Sequence, residues 1–168
     1  MRIYEGSPRQ NYEEVLRSIG AFVDQRGMRE LLVLEAPDGF ILQGLAVHAA
    51  AAEARSEHLG RQTKETFSFL DEDVAGFIEQ SQARRAAGAR AVASSEAGYY
   101  EHAFRVIGRY IDDQEPRDIF FFEQDRAFVL RLLMPTQAGS RHVIAEFTAD
   151  EVETMIADAP WLRGKKGS

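Results

Sequence analysis

The chain contains no cysteine. This absence excludes disulfide bonds, thiolate zinc sites, iron–sulfur clusters and a cysteine nucleophile, and it agrees with a reducing compartment. Residues 1–6 lack the apolar core of a secretory signal. No apolar run approaches the roughly 20 residues that a membrane-spanning helix needs. The sequence therefore predicts a cytoplasmic protein that does not enter a membrane.

Several linear motifs of nucleotide and hydrolase chemistry are also absent. The sequence has no Gly-rich phosphate loop ending in Lys-Ser/Thr, no Gly-x-Gly-x-x-Gly and no Gly-x-Ser-x-Gly. We accordingly predict no cofactor, and the sequence identifies no catalytic residue. The net charge of −7 weighs against nucleic acids and anionic membranes as partners.

What the chain does contain is an internal repeat, because residues 12–45 align with residues 100–133 without a gap. Many of the aligned positions keep their apolar character, which predicts two copies of one structural unit. The identical pairs are Tyr12/Tyr100, Glu13/Glu101, Arg17/Arg105, Ile19/Ile107, Gly20/Gly108, Asp24/Asp112, Arg29/Arg117, Glu35/Glu123, Phe40/Phe128, Leu42/Leu130 and Leu45/Leu133.

Each copy begins with a helix and continues with a hairpin. Apolar residues at helical spacing predict a helix over 10–26, with Ser7 or Asn11 as its cap and Gly27 as its stop. Two apolar runs around Pro37-Asp38-Gly39 predict a β-hairpin. In the second copy, Pro116 follows the helix and two further apolar runs repeat the hairpin.

The likeness continues into a third strand and an acidic helix start in each copy, at 66–78 and 145–156. We predict an α+β fold, a pseudo-twofold tandem duplication of a helix–strand–strand–strand–helix unit. The units are residues 1–87, with an insertion at 47–60, and 99–162, joined by a linker at 88–98 into one compact domain. This element order in a small acidic protein is loosely similar to secretion-chaperone-like folds.

The two halves are expected to share one mostly antiparallel sheet of about six strands. The runs at 31–34 and 119–122 are apolar at every position, which predicts central strands buried on both faces. Gly20 and Gly108 lie inside helical patterns, where glycine costs about 1 kcal/mol relative to alanine. Their recurrence indicates a close approach, either between the two helices or between each helix and the sheet.

The other recurring polar residues have simple structural interpretations. Glu13/Arg17 and Glu101/Arg105 have the spacing of surface ion pairs within one helix. Asp24 and Asp112 lie near helix ends, where the dipole disfavours a carboxylate, so they keep a small functional interest.

A cleft between the halves is the main place where the sequence allows chemistry. Glu35 and Glu123 end their strands and could face each other as an acid–base or metal pair, or point into water at opposite ends of the sheet. With Tyr12 and Tyr100 they form the candidate cleft residues.

Two weaker candidates lie around the insertion. His48, Glu53, Glu57 and His58 gather histidines and carboxylates without the spacing of a zinc helix, so we expect no metal. A basic patch is the second, but acidic residues interrupt it, which favours a solvated mixed-charge surface. Its members are Arg55, Arg61, Lys64, Arg84, Arg85 and Arg90.

Three functional hypotheses follow from these patterns. The first is a non-enzymatic interaction or binding module, whose partner is another protein or a second copy of the chain. The second is a small-molecule-binding protein or enzyme with its site between the repeats. The third is nucleic-acid binding through the basic linker region, which the net charge disfavours.

Overall fold

A computed structural model describes residues 11–47, 62–86 and 98–163. These residues form an α+β structure with four helices, a short terminal turn of helix and six strands. The elements in chain order are α1 (Tyr12–Arg26), β1 (Met28–Ala36), β2 (Gly39–Val47), β3 (Gln62–Leu70), α2 (Asp71–Ala86), α3 (Tyr99–Gln114), β4 (Asp118–Gln124), β5 (Ala127–Thr136), β6 (Gly139–Phe147), α4 (Ala149–Ala157) and α5 (Pro160–Arg163).

All six strands join one antiparallel sheet in the order β3-β2-β1-β4-β5-β6. The predicted six-stranded sheet is therefore confirmed, as is the central position of β1 and β4. These two strands pair through three residues each, with Val33 opposite Phe121 at the middle of the sheet. The pairing of β1 with β4 thus joins the three earlier and the three later strands into one sheet.

Helices α1 and α3 lie side by side on one face of the sheet and run antiparallel. The first turn of α1 contacts the carboxyl-terminal part of α3, and the reverse also holds. Alternate strand residues point towards these helices, and many of them are completely buried, including Val33, Phe121 and Leu130. Burying such a side chain stabilises the fold by about 1.5–3 kcal/mol, so this helix-covered face contains the core.

Helices α1 and α3 end in the same backbone conformation, but at different residue types. Asn11 caps α1 by accepting a hydrogen bond from the Glu14 amide, and Gly27 ends it in the left-handed conformation. The predicted cap at Asn11 and stop at Gly27 are therefore confirmed. Helix α3 ends at Glu115, which adopts the same left-handed conformation with a φ of 54°, and Pro116 prevents continuation.

Several predicted features lie outside the described residues. They are the cap at Ser7, the insertion beyond Val47 and the linker up to residue 97. Within the described ranges, no helix has both the length and the apolar character needed to cross a bilayer.

Candidate functional site

The recurring polar residues of α1 and α3 connect the two helices to each other. Arg17 Nε lies 3.1 Å from Glu101, and Arg105 Nε lies 3.1 Å from Glu13. The prediction of ion pairs within each helix was therefore wrong in its partners. Antiparallel packing brings the glutamate in the first turn of each helix beside the arginine of the other helix. The recurring glutamate and arginine therefore form ion pairs between the helices.

Asp24 and Asp112 form a second set of contacts between the two helices. The Asp24 carboxylate accepts hydrogen bonds from the backbone amides of Tyr100 and Glu101, at 3.1 and 3.0 Å. Asp112 accepts equivalent bonds from Tyr12 and Glu13, at 2.9 and 3.0 Å. Each aspartate ends its own helix but satisfies the first amides of the other, where the dipole favours a negative charge. This placement resolves the conflict seen in the sequence.

Gly20 and Gly108 lie where these two helices approach each other closely. A Cβ atom at Gly20 would collide with the backbone carbonyl of Tyr100, and one at Gly108 would lie 2.7 Å from the Glu13 Cα atom. The close approach is therefore between helices rather than to the sheet. The glycines do not meet each other, since each faces the first turn of the opposite helix.

The four candidate cleft residues form two separate tyrosine–glutamate pairs. The Tyr12 hydroxyl donates a short hydrogen bond to Glu35, and the Tyr100 hydroxyl donates to both oxygens of Glu123, at 2.9 and 3.0 Å. Because β1 and β4 are antiparallel, the two glutamates lie at opposite ends of the central strand pair and do not face each other. Each pair joins the first turn of a helix to the end of a strand.

Burial dominates the electrostatics of these pairs. It raises the pKa of the Glu35 carboxyl to about 7, although the tyrosine hydroxyl bond favours the ionised form. Burial also raises the pKa of Glu123, which accepts a further bond from the Glu30 amide at 3.0 Å. A carboxyl group that titrates near neutrality can act as a general acid or base, but both glutamates are already engaged by a tyrosine.

The opposite face of the sheet has a different character, because no helix among the described residues covers it. The strand register and the burial pattern identify the apolar side chains that point this way. None of them belongs to the buried core. We define the open face by its apolar residues Leu32, Leu34, Ile41, Leu45, Leu70, Phe120, Phe122, Val129, Leu133 and Ile144.

The middle of the open face is a four-residue apolar centre. Leu32 lies opposite Phe122, and Leu34 lies opposite Phe120, across the junction of β1 and β4. The two phenylalanine rings are 6.0 Å apart. Ile41 on β2 and Val129 on β5 extend the centre by one strand on each side.

Polar side chains adjoin the apolar centre on both flanks. On one flank, Gln43 donates a hydrogen bond to Thr66 at 3.1 Å. On the other, the guanidinium of Arg131 lies 5.6 Å from the centre of the Phe120 ring, and Glu146 is opposite Val129. Apolar side chains continue to the edge strands, where Leu70 on β3 and Ile144 on β6 are exposed. The open face therefore combines apolar and polar groups, as protein interfaces do.

Exposure distinguishes the open face from the rest of the described surface. The large apolar side chains that are exposed there are Leu34, Leu70 and Ile144, at 37%, 53% and 57%, and all of them belong to the open face. The central strands are consequently not buried on both faces, and that part of the sequence prediction was wrong. Apolar residues on both sides of a strand can indicate an interaction surface as well as a second core layer.

A shallow cleft of about 370 Å³ lies between α1 and α2. Phe22 and Phe77 form its apolar wall, and Ser18, Gln25 and Gln80 supply polar groups. It is formed by elements of the first half alone. It therefore differs in place from the cleft between halves that the sequence suggested.

The remaining sequence candidates are only partly described. Lys64 is exposed on β3, and the backbone of Arg84 and Arg85 lies in α2. Arg55, Arg61 and Arg90 lie outside the described residues, as do the metal candidates His48, Glu53, Glu57 and His58. The part of the chain that is described contains no group of three or more histidine and carboxylate side chains suited to a metal ion.

Comparison of the chain with known protein families, with curated proteins and with solved structures gives no match.

Proposed function

We propose that the protein is a non-enzymatic interaction module whose binding surface is the open face of the sheet. The observation that carries this proposal is the cluster of Leu32, Leu34, Phe120 and Phe122, which occupies the middle of the sheet and is covered by none of the described helices. Monomeric proteins rarely leave a continuous apolar patch of this kind to solvent. An interface would remove these side chains from water.

The helix-covered face supports this assignment because its acidic residues have structural partners. Glu35 and Glu123 are each bonded to a tyrosine, and Asp24 and Asp112 are each bonded to two backbone amides. Their shared task is to hold helices and strands together. This leaves the open face as the part of the described surface with no structural role within one chain.

We further propose that the scaffold arose by tandem duplication and has pseudo-twofold symmetry, as the sequence repeat predicts. Support comes from contacts that recur with the halves exchanged. Arg17–Glu101 has its counterpart in Arg105–Glu13, and Tyr12–Glu35 has its counterpart in Tyr100–Glu123. The axis would pass between Val33 and Phe121, directly beneath the apolar centre of the open face. A cytoplasmic location agrees with the cysteine-free sequence.

Site-specific photocrosslinking in living cells that produce the chain tests the proposed binding surface. A photoreactive phenylalanine analogue at Leu34 should give a crosslinked species that mass spectrometry can identify. The same analogue at Gln82, which is exposed on α2 and lies outside the cleft, is the matched control and should give none. Equal crosslinking at both positions, or none at Leu34, would contradict the proposal.

A further inference from the structure

We infer that the occupant of the open face is a second copy of this chain, packed sheet against sheet. This inference rests on the proposed function, since it names the partner of the same surface. The two open faces would form the inner layers of a β-sandwich. In such a sandwich the sheets lie about 10 Å apart and their strands cross at about 30°.

The size of the open face fits a stable dimer. Six strands with about nine residues each, at about 4.8 Å between strands and 3.3 Å per residue, span roughly 800 Å². A standard specific interface buries about 800 Å² on each partner. One face of this sheet is therefore enough, without any contribution from loops or helices.

The arrangement of side chains also suits self-association. A dimer with twofold symmetry brings the same patch of both copies together, so the patch must be complementary to itself. Superposing the two apolar centres places Phe120 and Phe122 of each copy against apolar side chains of the other. Gln43 and Arg131 lie directly opposite Leu32 and Phe120, so they enter the interface beside the apolar centre. There Gln43 keeps its hydrogen bond to Thr66, and Arg131 keeps its contact with the Phe120 ring.

Charge does not oppose this contact, although the chain as a whole carries a net charge of −7. The open face has basic side chains at Lys64 and Arg131 and acidic side chains at Asp118 and Glu146, so its charges balance. Acidic residues are concentrated elsewhere, for example in the first turns of α2 and α4. Two copies can therefore approach through this face without strong repulsion.

The decisive experiment measures the molar mass of the full chain by light scattering after size-exclusion chromatography, from about 1 to 100 µM. We expect a dimer that dissociates on dilution. Phe122→Glu should raise the dissociation constant by at least about 30-fold, because it places a charge at the centre of the interface. Ala83→Glu adds the same charge on exposed α2 and should leave the dimer intact. Circular dichroism verifies that each variant is folded.

A second measurement keeps the test decisive if Phe122→Glu does not fold. The chain has no native cysteine, so Leu34→Cys introduces a single thiol on the open face. Its alkylation should slow at least about 10-fold as the dimer forms, whereas Ala83→Cys should react at a constant rate. A thiol at position 34 that reacts equally fast at all concentrations would overturn the inference.

The outcomes separate this inference from the proposed function. A dimer whose β3 or β6 amides become protected from hydrogen exchange, while Leu34→Cys stays reactive, would be an edge-to-edge dimer and would overturn the sheet-to-sheet arrangement. A chain that is monomeric throughout but crosslinks from Leu34 to a different protein would overturn self-association and retain the interaction module. A monomer without crosslinks would overturn both.

Discussion

The two central strands are apolar on both faces of the sheet, but these faces have opposite relations to the rest of the molecule. Adjacent residues of β4 make the contrast directly: Phe121 is completely buried under the helices, whereas Phe122 points to the open face and is half-buried. Phe121 contacts the ring of Phe104 on α3, with ring centres 5.1 Å apart. Phe122 has Phe120 of its own strand as its ring neighbour.

This difference indicates that hydrophobicity alone does not identify the core of a sheet. On the covered face, apolar side chains are accompanied by specific polar contacts that fix the helices, such as those of Asp24 and Asp112. On the open face, polar groups lie beside the apolar centre and bind none of the described helices. The first face specifies the fold, and the second is available to a partner.

Substituting the two adjacent phenylalanines gives the largest contrast. Phe121→Ala should lower the free energy of unfolding by about 4 kcal/mol, because it leaves a cavity among fully buried side chains. Phe122→Ala should cost only about 1 kcal/mol in the monomer, since its ring is partly exposed already. Urea denaturation at low protein concentration measures both. Similar costs for the two variants would show that the open face is a second core layer.

The glycines between the helices give the next contrast. Gly20→Ala should destabilise the protein by about 3 kcal/mol, because the added methyl group collides with backbone rather than with a movable side chain. Gly76→Ala is the matched control, since nothing lies within 4 Å of the new Cβ atom on α2. It should stabilise the protein by up to about 1 kcal/mol through helix propensity. The same sign of effect in both variants would contradict the close approach of α1 and α3.

Much of the scaffold was predictable from sequence because local signals agreed with one another. Helical spacing, the cap at Asn11 and the Asp38-Gly39 turn indicated the same elements that the structure contains. The pairing of β1 with β4 also followed, because uniformly apolar strands belong in the middle of a sheet. The sequence could not reveal that all the described helices pack on one face of these strands, since exposure depends on where every other element packs.

The partners of the polar residues on α1 and α3 could not be predicted from the local sequence for a similar reason. Glu13 and Arg17 have an ideal spacing for a pair within one helix, yet each binds a residue more than 80 positions away. Asp24 looked misplaced at the end of its own helix because its true role is at the start of another. Such contacts become visible only when the antiparallel arrangement of α1 and α3 is known.

Glu35 provides a test of the covered face through pH. Its pKa is about 7 in the folded protein and near 4.5 in the unfolded chain, so the folded state holds the proton more tightly. Stability should therefore fall as pH rises from about 4.5 to 7, by at most about 3 kcal/mol from this group. Glu35→Gln keeps an oxygen acceptor for the Tyr12 hydroxyl and should remove this part of the pH dependence.

The comparison of interest is the stability difference between Glu35→Gln and the natural chain as a function of pH. Between about pH 4.5 and 7 the variant should become more stable relative to the natural chain, and at higher pH the difference should stay constant. Other buried carboxyls titrate in both proteins, so they do not contribute to the difference. Glu79→Gln, at an exposed position on α2, is the control for the loss of one carboxylate. A flat difference for Glu35→Gln would mean that the carboxylate is fully solvated when ionised.

Removing an aspartate that caps the opposite helix should give the smallest of these stability effects. Asp112→Ala removes both hydrogen bonds to the amides of Tyr12 and Glu13 and should cost about 2 kcal/mol. The neighbouring Asp113→Ala changes an exposed side chain and should alter stability by less than about 0.5 kcal/mol. Thermal unfolding of the pair measures the difference. Asp112 makes its contacts on the helix-covered side of the sheet, so its loss should destabilise the fold and leave association through the open face unchanged. A folded Asp112→Ala chain that no longer dimerises would show that the two faces are not independent.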